Sequence, residues 1–186
     1  VNNANALVIV DGTKVSTQAA GATGIMSYTA NFRGGSATGG ARIDATNLTL
    51  TTTGAGAPGL LAGGFSGNTA PVDIVLKGGT VTTTGANSHG VRGHTSASGA
   101  LTIDIQSGQV SAQGAGSHGV NAEAAATAPP VTINTAGAIS STTGDAINAA
   151  QALSGANVTM TGGNISGASA ALRGSPAADS FIASGG

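Results

Sequence analysis

Apolar residues in this chain fall in short runs, and the runs recur. Ile74-Val75-Leu76 and Leu101, Ile103, Ile105 are typical: three to five positions, a period of two, rich in Val, Ile and Thr. That period and those β-branched side chains predict short strands. Glycine punctuates the runs and predicts turns. Nothing sustains a 3.6-residue period, and there is no leucine-rich consensus, so helical and leucine-rich repeats are set aside.

The runs belong to a longer repeat. The segments VIVDGTKVSTQAAGATGI (8–25), IDATNLTLTTTGAGAPGL (43–60), IVLKGGTVTTTGANSHGV (74–91) and IDIQSGQVSAQGAGSHGV (103–120) align without a gap. Shorter versions follow at 131–147 and 158–172. One column holds Val15, Leu50, Val81, Val110, Ile139 and Ile165; a second holds Ile25, Leu60, Val91, Val120, Ile147 and Leu172. A third, seven residues before the first, holds Val8, Ile43, Ile74, Ile103 and Val158. Directly after the first column comes a hydroxyl: Ser16, Thr51, Thr82, Ser111, Ser140 and Ser166. The repeat shortens along the chain, with Gly24, Gly59, Gly90 and Gly119 spaced by 35, 31 and 29 residues and Ala146 and Ala171 following after 27 and 25.

Each repeat reads as strand, turn, strand, glycine turn, strand, loop. One such unit cannot bury its apolar face alone, but stacking on its neighbours at about 4.8 Å builds a continuous interior. The expected architecture is all-β: a right-handed parallel β-helix of about six coils with three short strands per coil, residues 1–186 forming one segment. Gly24, Gly59, Gly90 and Gly119 precede an inward apolar residue. They are expected to supply both a free φ and a missing Cβ, so that stacked turns approach closely.

Composition narrows the class. Net charge is -1, and only 7% of residues are charged, against about 25% in an ordinary domain. A nucleic-acid partner would leave a basic bias, which is missing. Thirty-two glycines raise the prospect of disorder, but regular Val, Ile and Leu columns argue against it. Cysteine is absent and no run of 18 apolar residues suggests a membrane helix. The chain begins at Val1 without a visible signal peptide and is read as a fragment of a longer protein.

The phrase TTTGANSHGV (82–91), echoed as SAQGAGSHGV (111–120), resembles the passenger region of Gram-negative autotransporters of the pertactin-like group. The resemblance implies a β-helix exported to the cell surface through a C-terminal β-barrel that this segment does not include. It also implies an extracellular place, virulence-related adhesion, self-association or immune evasion, and no cofactor. Protease members of that group carry a separate serine domain, and no G-x-S-x-G occurs here.

Candidate sites follow from the same register. Asp44 and Asp104 share a column two coils apart with Val75 between them, which is poor geometry for paired carboxylate catalysis. Arg42 and Asp73 occupy equivalent positions and predict a surface ion pair. His89 and His118 share a column, with His94 near in sequence; no carboxylate or cysteine is found to complete a metal site, so no metal is expected. Stacked turn residues account for the pair, with a pH-sensitive surface as the alternative. Gly34-Gly35 and Gly162-Gly163 lack the setting of a nucleotide loop. Thr49, Thr51, Thr80 and Thr82 form an outward grid, suited to self-association, with ice and glycan as other readings. The long loop 28–41 gathers Tyr28, Phe32 and Arg33, anchors of the kind binding interfaces favour, and loop 61–71 carries Phe65.

These readings converge on a non-enzymatic adhesin or self-associating rod, with a host surface or matrix protein, or a copy on a neighbouring cell, as partner. A host-binding or immune-evasion module built on loop 28–41 is the second reading. A polysaccharide-active β-helix enzyme is the third.

Overall fold

A computed structural model describes residues 5–29, 39–64 and 67–184. Strands run in the order β1 (Ala6–Asp11), β2 (Lys14–Thr17), β3 (Ile25–Thr29), β4 (Ala41–Thr52), β5 (Leu60–Gly64) and β6 (Val72–Thr83). Then come β7 (Val91–Thr95), β8 (Leu101–Ala112), β9 (Val120–Ala124), β10 (Val131–Thr135) and β11 (Ala138–Ser141). The last are β12 (Ile147–Ala152), β13 (Ala156–Met160), β14 (Ile165–Gly167), β15 (Leu172–Arg173) and β16 (Ser180–Ala183). No helix occurs among the described residues. Every pairing is parallel, in two sheets. This is an all-β arrangement compatible with a parallel solenoid.

The larger sheet has two arms. The first arm stacks β1, β4, β6, β8, β10, β13 and β16; the second stacks β2, the C-terminal halves of β4, β6 and β8, then β11 and β14. The smaller sheet is the third arm, ordered β3, β5, β7, β9, β12 and β15. The columns seen in the sequence reappear as backbone register. Val15 pairs Leu50, Leu50 pairs Val81, Val81 pairs Val110, Val110 pairs Ile139 and Ile139 pairs Ile165. Ile25, Leu60, Val91, Val120, Ile147 and Leu172 pair in the same way.

Two details differ from the sequence reading. In the middle of the stack the first two strands of a repeat are one 12-residue strand, not two. The corner is a single left-handed residue or pair, such as Asn47 (φ 49°) or Gly78 and Gly79 (φ 86° and 89°). Asn and Gly tolerate that conformation, so the ladder bends without breaking. The third column is also longer than read: Ile133 fills the gap between Ile103 and Val158, and Phe181 extends it. Ile133 was hidden because it stands six, not seven, residues before Ile139.

The interior is narrow and lined by single residues. Ile43, Ile74, Ile103 and Ile133 are all at most 1% exposed. Each buried side chain of this size stabilises by about 1.5–3 kcal/mol. A thin core of stacked aliphatics explains how so few aromatics suffice. At the first rung, Val8, Val10 and Val15 are only partly buried against this core.

The turn glycines need one correction. Gly24, Gly59, Gly90 and Gly119 do not adopt positive φ; the left-handed positions lie three residues earlier, at Gly21, Gly56, Asn87 and Gly116. Their role is the missing Cβ. A Cβ on Gly24 would lie 2.7 Å from the Gly59 carbonyl oxygen and 2.7 Å from Leu50 Cδ1.

Candidate functional site

The second arm turns a neutral hydroxyl surface outward. Alternation along β4 buries Leu48, Leu50 and Thr52 and leaves Thr49 and Thr51 on the outside. The same parity holds in β6 for Val81 and Thr83 against Thr80 and Thr82. Thr49 pairs Thr80 and Thr51 pairs Thr82, so equivalent hydroxyls repeat at about 4.8 Å. The ranks extend further than four threonines. Lys14 and Gln109 continue the first rank, and Ser16, Ser111, Ser140 and Ser166 the second. A third rank, exposed Thr53, Thr84, Gln113 and Thr142, follows from the ladder bonds just past the strands. Lys14 is the sole charge on these ranks. The hydroxyls of Thr49, Thr51, Thr80 and Thr82 have no protein partner among the described residues.

Inward hydroxyls of the same strands are fully committed. Thr17 Oγ1 donates to the Ala22 carbonyl (2.8 Å), Thr52 Oγ1 to the Ala57 carbonyl (2.7 Å) and Thr83 Oγ1 to the Ser88 carbonyl. The next repeat has Ala112 at this position, and the Ser117 carbonyl is served instead by Ser141 Oγ at 2.8 Å. This accounts for a buried carbonyl in each turn, as a dry interior requires.

The Ser-His-Gly turns add stitches in both directions. Ser88 Oγ accepts the Ala57 N–H (3.0 Å) and donates to the Gly54 carbonyl (2.8 Å), one repeat earlier. Ser117 Oγ likewise accepts the Ser88 N–H (2.9 Å) and donates to the Gly85 carbonyl (3.1 Å). The histidines reach the other way. His89 Nδ1 accepts the His118 N–H at 3.1 Å, and His118 Nδ1 accepts the Asp145 N–H at 3.0 Å. The rings stack with centroids 5.2 Å apart and planes 11° apart. A backbone N–H can only donate, so Nδ1 is unprotonated and Nε2 carries the hydrogen in both rings. Burial depresses both imidazoles, His89 to about 4.

No carboxylate is expected beside these histidines from the sequence. The structure places one there: Asp145 Oδ2 lies 3.5 Å from His118 Nδ1, in the next rung of the column. That contact is not an ion pair, because Nδ1 is already filled by the Asp145 N–H. The buried Asp145 carboxylate is neutralised by Arg173, which donates twice at 2.7 and 3.1 Å. The signal was available: the residue before Ala146 aligns with His118. Among the described residues no group of three or more His, Cys, Asp or Glu side chains is arranged to hold a metal ion.

The ion pairs sit on the other two arms. On the first, Arg42 Nη2 lies 3.1 Å from Asp44 and Lys77 Nζ 3.3 Å from it, while the expected Arg42–Asp73 contact is longer, at 3.9 Å. The Arg42 hydrogen bond holds the Asp44 carboxyl below its usual range. Asp44 and Asp104 do flank Val75 in register, so these carboxyls do not share one rung gap. On the third arm Arg92 grips Glu123 through two bonds of 2.9 and 3.0 Å, and Asn121 adds a third at 2.7 Å. Asn148 in turn donates to Asn121 at 2.9 Å. These third-arm contacts carry no local motif, although Arg92, Asn121, Asn148 and Arg173 form one column.

Tyr28 sits on the third arm, 37% exposed, in the column of Gly63, His94, Glu123 and Gln151. Burial raises its phenol above the usual value. Phe32, Arg33 and Phe65 lie outside the described residues, as does Gly34-Gly35. No family model, curated protein or solved structure matches the chain.

Proposed function

We propose that this chain is a section of a right-handed β-solenoid of about six coils that works by adhesion, without catalysis. In this reading it is the passenger part of an autotransporter, held at the surface of a Gram-negative bacterium by a β-barrel elsewhere in the protein. The second-arm face carries the reading. It offers in-register ranks of hydroxyl and carboxamide groups, with Lys14 as its one charge and the Thr49, Thr51, Thr80 and Thr82 hydroxyls uncommitted. Two such faces can meet without desolvating paired charges, which would oppose association. Each contact is weak, but a rigid repeat presents many at fixed spacing, and tethered contacts reinforce one another. The SHGV phrases at 88–91 and 117–120 support the family assignment.

The test is cell clumping. The segment is displayed within a complete passenger on a bacterium that normally stays dispersed. Clumping is expected, and Thr51→Lys with Thr82→Lys should abolish it by placing two charges in each face. No clumping by the unmodified segment, or clumping that survives both lysines, overturns self-association through this face. Binding to a host matrix protein, probed with Tyr28→Ala, is then the next measurement.

A further inference from the structure

We propose that the His89–His118 stack is an acid-sensitive latch between successive turns of the solenoid, in which a proton on either Nδ1 expels the backbone N–H docked there and opens this corner while the strands stay paired. The inference is independent of the adhesive reading.

The geometry makes the latch one-way with respect to protons. In each ring Nδ1 is the atom that takes the next turn's N–H, His118 on His89 and Asp145 on His118. A proton on Nδ1 turns an acceptor into a donor facing another donor, so the bond cannot survive. The two rings are parallel at 5.2 Å, and a second positive charge at that distance adds repulsion. Among the described residues the carboxylate oxygen facing His118 Nδ1, Asp145 Oδ2 at 3.5 Å, is already held by Arg173 at 2.7 Å. The column is built for the task only here, since the preceding rung has Pro58 in the place of His89.

The charged neighbours do not cancel this response. His89 is faced by His118, by Arg92 on β7 and by Glu123 on β9; burial is the main cause of its low value, with His118 and Arg92 adding to it and Glu123 opposing. His118 is faced by His89, by Asp145 and by Arg173 on β15; burial again leads, Asp145 opposes it and Arg173 adds to it. Glu123 is engaged by Arg92 and Asp145 by Arg173, so neither carboxylate is unpaired. The sign follows. A histidine depressed in the closed state favours closure fully above pH 6.5, loses that contribution as pH falls, and has lost it below about 4 for His89.

Amide hydrogen exchange on the whole chain, read residue by residue from pH 7 to 3.5 alongside the imidazole Cε1 resonances, decides the matter. Protection of the His118 and Asp145 amides should fall at least tenfold as the imidazoles titrate. The strand-linked amides of Val91 and Ile139, bonded to the Gly119 and Asn164 carbonyls, should hold. Protection at His118 and Asp145 that is flat through the titration overturns the latch. So does simultaneous loss at Val91 and Ile139, which is global unfolding. A second arm separates histidine from Asp145 as the titrating group. His89→Asn with His118→Asn keeps an acceptor near Nδ1 but cannot take up a proton in this range, and should stay protected in acid. Acid loss at the same two amides in that variant would assign the effect elsewhere.

Discussion

Thr82 and Thr83 are neighbours in β6 with the same side chain and opposite duties. Thr83 is fully buried, and its hydroxyl closes the turn by donating to the Ser88 carbonyl. Thr82 faces outward in a rank with Thr51 and Ser111 and holds no protein group. Thr51 and Thr52 repeat the contrast one rung earlier. The interior hydroxyls of the second arm, Thr17, Thr52, Thr83 and Ser141, are a structural wall, each committed to a turn carbonyl. The exterior ones are a surface with its hydrogen-bonding capacity unspent. Strand alternation alone separates the two, since shifting the register by one residue would exchange their roles.

The strongest way to break the comparison is to attack the committed side. Ser88→Ala removes a hydroxyl that serves two backbone groups at once, the Ala57 N–H and the Gly54 carbonyl. Both would be left buried without partners, at about 1–3 kcal/mol each. A loss of about 2–6 kcal/mol in chemical denaturation is expected. A loss under about 0.5 kcal/mol would mean that the turn finds other partners, and that the interior hydroxyls are no wall.

Much of this was legible in the sequence, and the boundary is instructive. The columns were readable because stacked parallel strands place like on like: aliphatic over aliphatic, hydroxyl over hydroxyl. The bend at Asn47 was not readable as a bend, because Asn and Gly mark a left-handed corner and a strand end equally well. The second exterior rank, Ser16 to Ser166, is legible as a column of hydroxyls, whereas the third rank from Thr53 to Thr142 lies beyond the strand ends. The turn at 112–117 shows a different limit. Ala112 breaks the threonine pattern, and only the fold reveals that Ser141, one coil later, supplies the missing donor. Compensation across coils leaves no local motif. Asp145 is distant from both histidines in sequence, and only the stacking of the next rung brings it beside His118.

A smaller and cleaner effect comes from Thr83→Val. The substitution keeps shape and removes one donor, leaving the Ser88 carbonyl bare in a dry turn. About 1–3 kcal/mol is expected from that single orphaned acceptor. The same change in the neighbouring residue is the control, and it is the sharper half of the pair.

Thr82→Val should leave stability within about 0.5 kcal/mol of the parent, because an outward side chain with no partner has little to lose. Valine also suits a strand at least as well as threonine. What the substitution does change is the surface, since one hydroxyl in the second rank becomes a methyl. Combined with Thr51→Val it clears two adjacent positions without adding charge. Clumping of displaying cells should weaken less than with the lysine pair, because lysine adds repulsion whereas valine only withdraws hydrogen bonds. If the valine pair clumps as well as the parent while the lysine pair does not, the face associates by exclusion of charge alone. If the valine pair unfolds as readily as Thr83→Val does, the outward and inward threonines are not distinct, and the division between wall and surface fails.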